Sequence, residues 1–331
     1  MSIEARHIPD RLDQPLSAAL RSWEMLLLIV AVGVFIFNSF ASPHFLDVWT
    51  LSDMTYNFTE KALIALPMAL LIIAGEIDLS VAATLALSST LMGLAMTFGF
   101  GTPALVCVGV IVGLACGAFN GVLVTGLNLP SIVVTIGTMS LFRGLAFIIL
   151  GDHVYKGYPT SFDFFGQGYV FWVISFELAL FLVFAIAFAF LLHFTSFGRR
   201  LYFIGRNPVA SLFSGVNVKR EKFILFCLTG IMSGLASVLL TSRLGSTRPS
   251  IAQGFELEAI TMVVLGGVAI TGGAGTIPGV VLAALIMGLV TFGFGLLNVP
   301  GIVMSIFVGV MLIVVIAFPI LWKRFMWILK K

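Results

Sequence analysis

Arg143 sits inside an apolar stretch, T-I-G-T-M-S-L-F-R-G, that also places hydroxyls at Thr135, Thr138 and Ser140 and glycines at 137 and 144. A guanidinium within a membrane span costs about 2.5–3.5 kcal/mol on insertion scales unless it is paired or reaches water. Three compensations are open: the side chain snorkels to the outer face, pairs with Glu256 or Glu258 across the bundle, or faces a polar passage. Hydroxyls beside a guanidinium suit the passage of a polyhydroxylated solute, so Thr135, Thr138, Ser140 and Arg143 are passage candidates. The same small polar residues are ordinary packing groups between membrane helices.

A second polar constellation is Gly75-Glu76-Ile77-Asp78-Leu79-Ser80, two acids between apolar segments. A structural turn is the expected role, with Asp78 or Ser80 capping the next helix by accepting a backbone N–H. The sharper alternative, protons or cations bound by the two acids in an ion-coupled transporter, requires them deep in the bilayer. Metal and catalytic chemistry find little support. Cys107, Cys116 and Cys227 lie in apolar runs without a C-x-x-C pair, and His7, His44, His153 and His193 are scattered without an i, i+4 pair. No assembled nucleophile, base and orienter is legible, so no enzyme is expected. No lysine follows a glycine, which excludes a G-x-x-x-x-G-K-[ST] phosphate loop. If ATP drives this protein, a separate subunit binds it.

The segment 194–222 is basic, with Arg199, Arg200, Arg206, Lys219, Arg220 and Lys222 against the single acid Glu221. Within it, Asn207-Pro208 is a helix start and Ser214-Gly215 a stop, so a short surface helix is expected between Pro208 and Gly215. Its small and apolar face could plug into a groove on a partner, or the loop could merely satisfy the charge rule.

These residues must be positioned by membrane helices. Of 331 residues, 60% are hydrophobic and 10% charged, against about 25% charged in a soluble domain. Apolar runs near membrane-spanning length recur along the chain. The expected fold is all-α and polytopic, with about ten transmembrane helices at 23–41, 60–74, 79–98, 103–126, 131–150, 169–193, 223–241, 257–271, 276–297 and 302–321. The expected organisation is a cytoplasmic tail at 1–21, a transmembrane domain at 22–322 and a second tail at 323–331. Segments 60–74 and 257–271 are short, and the glycines around 266–279 could support a broken or re-entrant element. The first span could instead be a cleaved leader, but nine further runs favour a helix.

Cytoplasmic loops retain Lys and Arg, so 194–222 and the tail with Lys323, Arg324, Lys330 and Lys331 belong inside, as does the N-terminus of a ten-span chain. The basic residues read as topology and give no sign of a nucleic-acid partner. Loop 242–256, with Arg243 and Arg248, is the exception on the outer side. A faint echo between 65–94 and 259–289 hints at internal duplication.

Six segments in series carry a family resemblance: G-E-I-D-L-S-V at 75–81, N-G-V-L-V-T at 120–125, P-S-I-V-V-T-I-G-T-M-S-L-F-R-G at 130–144, G-R-N-P-V-A-S-L-F-S-G-V-N-V at 205–218, G-F-E-L-E-A-I-T-M-V-V-L-G-G at 254–267 and G-G-A-G-T-I-P-G at 272–279. They resemble the permease subunits of bacterial ABC importers for ribose, xylose, arabinose, rhamnose and autoinducer-2. The resemblance implies an inner-membrane permease pairing with a second permease subunit, identical or a sister, around one passage. It implies an ATPase subunit docked inside and a periplasmic sugar-binding protein docked outside, with lipid around the bundle. The segment Gly205, Arg206, Asn207, Pro208, Ser211, Ser214 and Gly215 is similar to the family's cytoplasmic coupling segment, which carries motion from ATPase to passage. The sequence departs from the commoner pattern at Glu76, where a second glycine usually precedes Ile-Asp. Within the family the expectation is a rhamnose-type or other deoxysugar system, with ribose and autoinducer-2 as alternatives.

Overall fold

The structure, a computed structural model, describes residues 23–151 and 153–329. The expected 1–21 tail lies outside the described residues. Helices dominate: α1 (Trp23–Ala41), α2 (Val48–Tyr56), α3 (Thr59–Ile73), α4 (Val81–Thr97), α5 (Thr102–Gly126), α6 (Ser131–Leu150), the short α7 (Phe164–Gln167), α8 (Phe176–Phe194), α9 (Ser196–Arg206), α10 (Pro208–Phe213), α11 (Val218–Leu244), α12 (Phe255–Leu265), α13 (Ile277–Leu296) and α14 (Gly301–Leu329). Strands are marginal. β1 (Tyr155–Lys156) pairs antiparallel with β4 (Ser246–Thr247), and β2 (Tyr169–Phe171) with β3 (Ile174–Ser175).

Helix α3 is the axis of the bundle, because the sequence gives it no polar face to show to solvent. Every residue of α3 except Lys61 is buried, and it is ringed by α8, α11, α12 and α13 with α9 at its C-terminal end. A helix apolar all round belongs in the interior of a membrane bundle. The closest helix pair is α5 with α11. Gly109, Gly113, Gly117 and Gly121 recur every fourth residue and so share one face, with Gly230 and Gly234 opposite. A Cβ on Gly113 would stand 2.3 Å from the Gly230 carbonyl oxygen, and one on Gly230 would stand 2.2 Å from that of Gly113. Backbones in such contact gain dispersion that lipid does not offer, as in small-xxx-small membrane pairs. Outside this pair, α1 is pinned to α13 by the buried Asn38, whose Nδ2 donates to the Leu289 carbonyl at 2.8 Å, and to the end of α12 by Trp23 Nε1, which donates to the Leu265 carbonyl at 2.8 Å.

Among the described residues, six helices, α1, α5, α6, α8, α11 and α13, are long and apolar enough to cross a membrane, and α2 and α3, meeting at a 48° bend, would make a seventh together. The protein is therefore mostly helical and polytopic. Helix α4 is apolar but shorter by the same measure.

Several expected boundaries move, each for a local reason. The span expected at 169–193 starts at Phe176, because 169–175 turns back as the β2–β3 hairpin and Ser175 caps α8 by accepting the Leu178 N–H. The loop expected at 42–59 contains α2, started by Asp47, whose side chain accepts from the N–H groups of Trp49 and Thr50. The span expected at 257–271 stops at Leu265, since Gly267, Gly272, Gly273 and Gly275 take positive φ and carry the chain through an irregular crossing to α13. Helix α11 exceeds the expected 223–241 at both ends, from the Asn217 cap to left-handed Gly245.

Candidate coupling and passage site

The two ends of α3, a helix of 15 residues and so about 21 Å from first to last residue at 1.5 Å per residue, mark two polar regions. At its C-terminal end Gly75, at φ +83°, turns the chain into 75–80. Asp78 does not cap α4. Its Oδ1 accepts from the Ser80 N–H at 2.8 Å and from Ser80 Oγ at 2.6 Å, while Ser80 Oγ accepts from Asn120 Nδ2 of α5 at 2.8 Å. Ser80 occupies the cap position without a side-chain cap bond. The carboxylate thus fastens the turn to α5 within the bundle. Glu76 points the other way and forms an ion pair with Lys222 at the start of α11.

The basic segment folds as two helices. Helix α9 lies against this turn through Gly205, where an added Cβ would fall 1.8 Å from the Ile73 carbonyl oxygen and 2.4 Å from the Gly273 nitrogen. No residue but glycine fits there without moving α9. The Gly273 N–H donates to the Ile73 carbonyl at 2.8 Å, and Tyr202 Oη donates to the Gly275 carbonyl at 2.7 Å, so α9, the end of α3 and the 266–276 crossing form one unit. Burial pushes the Tyr202 phenol up from its ordinary pKa, which keeps it a donor. The expected short helix is present as α10. Asn207 caps it by accepting the Ala210 N–H at 2.9 Å, Pro208 opens it, and Ser211 and Ser214 hydroxyls donate to the carbonyls of Asn207 and Ala210. Gly215 leaves it at φ +84°. Val209, Leu212 and Phe213 are exposed, Phe213 to 86%, and Arg199, Arg206, Lys219 and Arg220 are exposed around them. Beside α10 is a cavity of about 800 Å³ lined by Glu76, Leu129, Val209, Leu212, Lys219 and Lys222.

The passage candidates do not share a surface. Thr135 and Thr138 are buried, and Thr135 Oγ1 donates to the Ser131 carbonyl at 2.8 Å, a bond internal to α6. Ser140 is exposed on another face of the helix. Arg143 neither snorkels nor meets an acid within hydrogen-bond reach. Its guanidinium donates to the carbonyls of Pro249 at 2.8 Å and Ile251 at 2.7 Å, stapling α6 to the segment after β4. Glu258 is held instead by Lys61 of α3, Nζ to Oε2 at 2.6 Å, and Glu256 is half-buried at the start of α12.

Two buried acids at the N-terminal end of α3 escaped the sequence reading. Glu60 is fully buried and pairs with Arg243 Nε at 2.7 Å, and Glu177 of α8, also fully buried, accepts from Thr59 Oγ1 at 2.8 Å. This accounts for Arg243, half of the exception in loop 242–256, since its charge is consumed inside the bundle while Arg248 stays exposed. The overlooked signal was an acid at the head of each of two otherwise apolar helices, a costly placement without a partner. Nearby, Tyr158 Oη lies 2.6 Å from Thr247 Oγ1, and burial pushes its phenol up to about 12.

Residues 50–316 match the family described as the branched-chain amino acid transport system / permease component. The chain is 36% identical over 292 residues to the ribose import permease of Bacillus subtilis (88% of this chain, 89% of the relative). It is 33% identical over 301 residues to the autoinducer 2 import system permease of Salmonella typhimurium (89% and 90%) and 34% identical over 306 residues to that of Yersinia enterocolitica (89% and 90%). No solved structure matches the chain. With the family match covering most of its length, the chain belongs to this family of transport-system permease components and is a membrane transport subunit, not an enzyme.

Proposed function

We propose that this chain is the permease of a binding-protein-dependent ABC importer that moves a monosaccharide or related polyhydroxylated solute across the bacterial inner membrane. The observation that carries the reading is α10: a short, well-capped helix with Val209, Leu212 and Phe213 exposed among basic residues, on a base wedged against the central helix at Gly205. A separate ATPase subunit, which supplies the ATP site, receives that helix. ATP binding closes the ATPase sites, α10 and α9 move as one body, and the push reaches α3 and the 266–276 crossing directly. Two permease subunits, identical or sisters, tilt in alternating access, and a periplasmic sugar-binding protein delivers solute from outside.

In this reading the chain crosses the membrane ten times, with α2–α3 as one bent span and α4, α12 and α14 completing the set. Both termini and α9–α10 are cytoplasmic, and the β2–β3 hairpin is outside. Contacts at the two ends of α3 support it: Gly205 of α9 and Gly273 of the 266–276 crossing meet Ile73, whereas Glu177 at the start of α8 and Arg243 at the end of α11 meet Thr59 and Glu60. The cargo class follows the ribose and autoinducer 2 import named for the relatives; a rhamnose-type deoxyhexose is the narrower alternative within it.

Co-purification from native membranes with chemical cross-linking at α10 identifies the companions, and vesicles rebuilt from them are expected to take up sugar only with ATP and binding protein. Arg206→Glu and Ser214→Glu, the latter adding an anion at the negative end of the α10 dipole, are expected to abolish that uptake while the variants still insert and fold. Normal uptake by both removes the coupling role. Gradient-driven uptake by the purified chain alone would establish an ion-coupled carrier instead.

A further inference from the structure

At the end of the bundle opposite α10, a cavity of about 530 Å³ opens between α12, α13, α14 and the start of α3, within the range of about 300–1,000 Å³ typical of small-molecule sites. Its polar groups converge. Lys61, the one residue of α3 that is not buried, enters it and pairs with Glu258 at 2.6 Å, the two side chains keeping 14% and 21% exposure. The Lys61 ammonium also sits 4.7 Å from the centre of the Phe255 ring, which holds the cation by its quadrupole. The exposed amides Asn57 and Gln253 stand with the pair, and Thr261 and Ser305 complete the lining with their hydroxyls donated to the Leu257 and Gly301 carbonyls of their own helices. Leu257, Leu296 and Val308 form the apolar part of the wall.

This chemistry selects its ligand. The ion pair is charge-balanced, so it does not attract an anion or cation on net charge. It still offers spare ammonium N–H groups and a free carboxylate oxygen beside two amides, a dense set of donors and acceptors. Opposed to an apolar wall, such a set matches a molecule with hydroxyls on one side and C–H groups on the other. We propose that the Lys61–Glu258 cavity is a binding site for a neutral monosaccharide. This assignment rests on the importer reading for its direction of access, because it places the cavity on the outer side.

Thiol protection tests it on the full chain in nanodiscs. Cys107 and Cys227 are replaced by serine, the buried Cys116 is kept, and Ser305→Cys reports from the wall. D-ribose or L-rhamnose at about 10 mM, enough to fill a site of millimolar affinity, is expected to slow maleimide labelling severalfold. Glu258→Gln and Lys61→Gln are expected to remove that protection, and ribose 5-phosphate is expected to protect no better than ribose. Should either variant fail to fold by thermal shift, Asn57→Ala and Gln253→Ala carry the same expectation with less perturbation. No slowing by either neutral sugar, protection that survives in all folded variants, or protection by the sugar phosphate alone would overturn the site. The assay contains no ATPase, so ATP-driven uptake without protection refutes this site and leaves the importer reading standing, whereas protection without ATP-driven uptake does the reverse.

Discussion

Lys222 and Glu76, 146 positions apart in sequence, form an ion pair that ties the first turn of α11 to the turn leaving α3. The side chains retain 17% and 14% exposure, and both line the cavity beside α10. The tie adds a second fastening to a turn that Asp78 and Ser80 already hold.

Breaking the pair from one side leaves a charge poorly solvated. Glu76→Lys is expected to lower stability by about 2 kcal/mol, between the values for exposed and fully buried pairs, and to weaken ATP-driven uptake. The double exchange Glu76→Lys with Lys222→Glu is expected to restore most of both. Thermal unfolding in detergent and vesicle uptake measure the two effects; a double variant no better than the single would show that the pair carries no coupling energy.

The glycine seam between α5 and α11 is expected to be intolerant of any side chain. Gly113→Ala puts a methyl group against the Gly230 carbonyl oxygen and should cost about 1–3 kcal/mol by overpacking, with Gly113→Leu preventing a monodisperse product in size-exclusion chromatography. Gly137→Ala on α6, where an added Cβ meets nothing within 4 Å, is the control and should match the wild type.

Arg243 and Glu60 are unequal in what their loss leaves behind. Arg243→Met strands a fully buried carboxylate beside the second buried acid, Glu177, and is expected to destabilise by about 3–5 kcal/mol. The double Glu60→Gln, Arg243→Met removes both charges and is expected to recover part of that loss. Expression level and unfolding midpoint read the ordering, and equal stability of single and double variants would contradict it.

Tyr158 gives an alkaline signature. Its phenol is raised from 10.0 to about 12 by burial, so the folded state holds the proton more tightly than the unfolded one. The associated stability is fully present below pH 10 and declines as pH rises toward 12, by about 2–3 kcal/mol. Tyr158→Phe loses the contact to Thr247, starts about 1 kcal/mol less stable below pH 10, and should lack that part of the alkaline decline. Parallel pH–stability curves for the two proteins would refute the assignment.

Amino-acid order alone determined the membrane class, the long apolar helices, and the capped α10, because Asn207-Pro208 and Ser214-Gly215 act through bonds spanning four residues or fewer. It also marked 266–279 as irregular, since glycine's freedom at positive φ is a local property. Which helix lies at the centre was decided only in three dimensions: beyond Thr59-Glu60-Lys61 at its head α3 is apolar on every side, as are the long membrane helices through most of their length, so no periodicity points to a buried face. The partners of the charged residues were likewise a tertiary choice. Arg143 took the carbonyls of Pro249 and Ile251, Glu258 took Lys61, and Glu60 took Arg243. Inside a low-dielectric bundle a charge is satisfied by whichever donor or acceptor packing brings within reach, and packing joins residues more than a hundred positions apart.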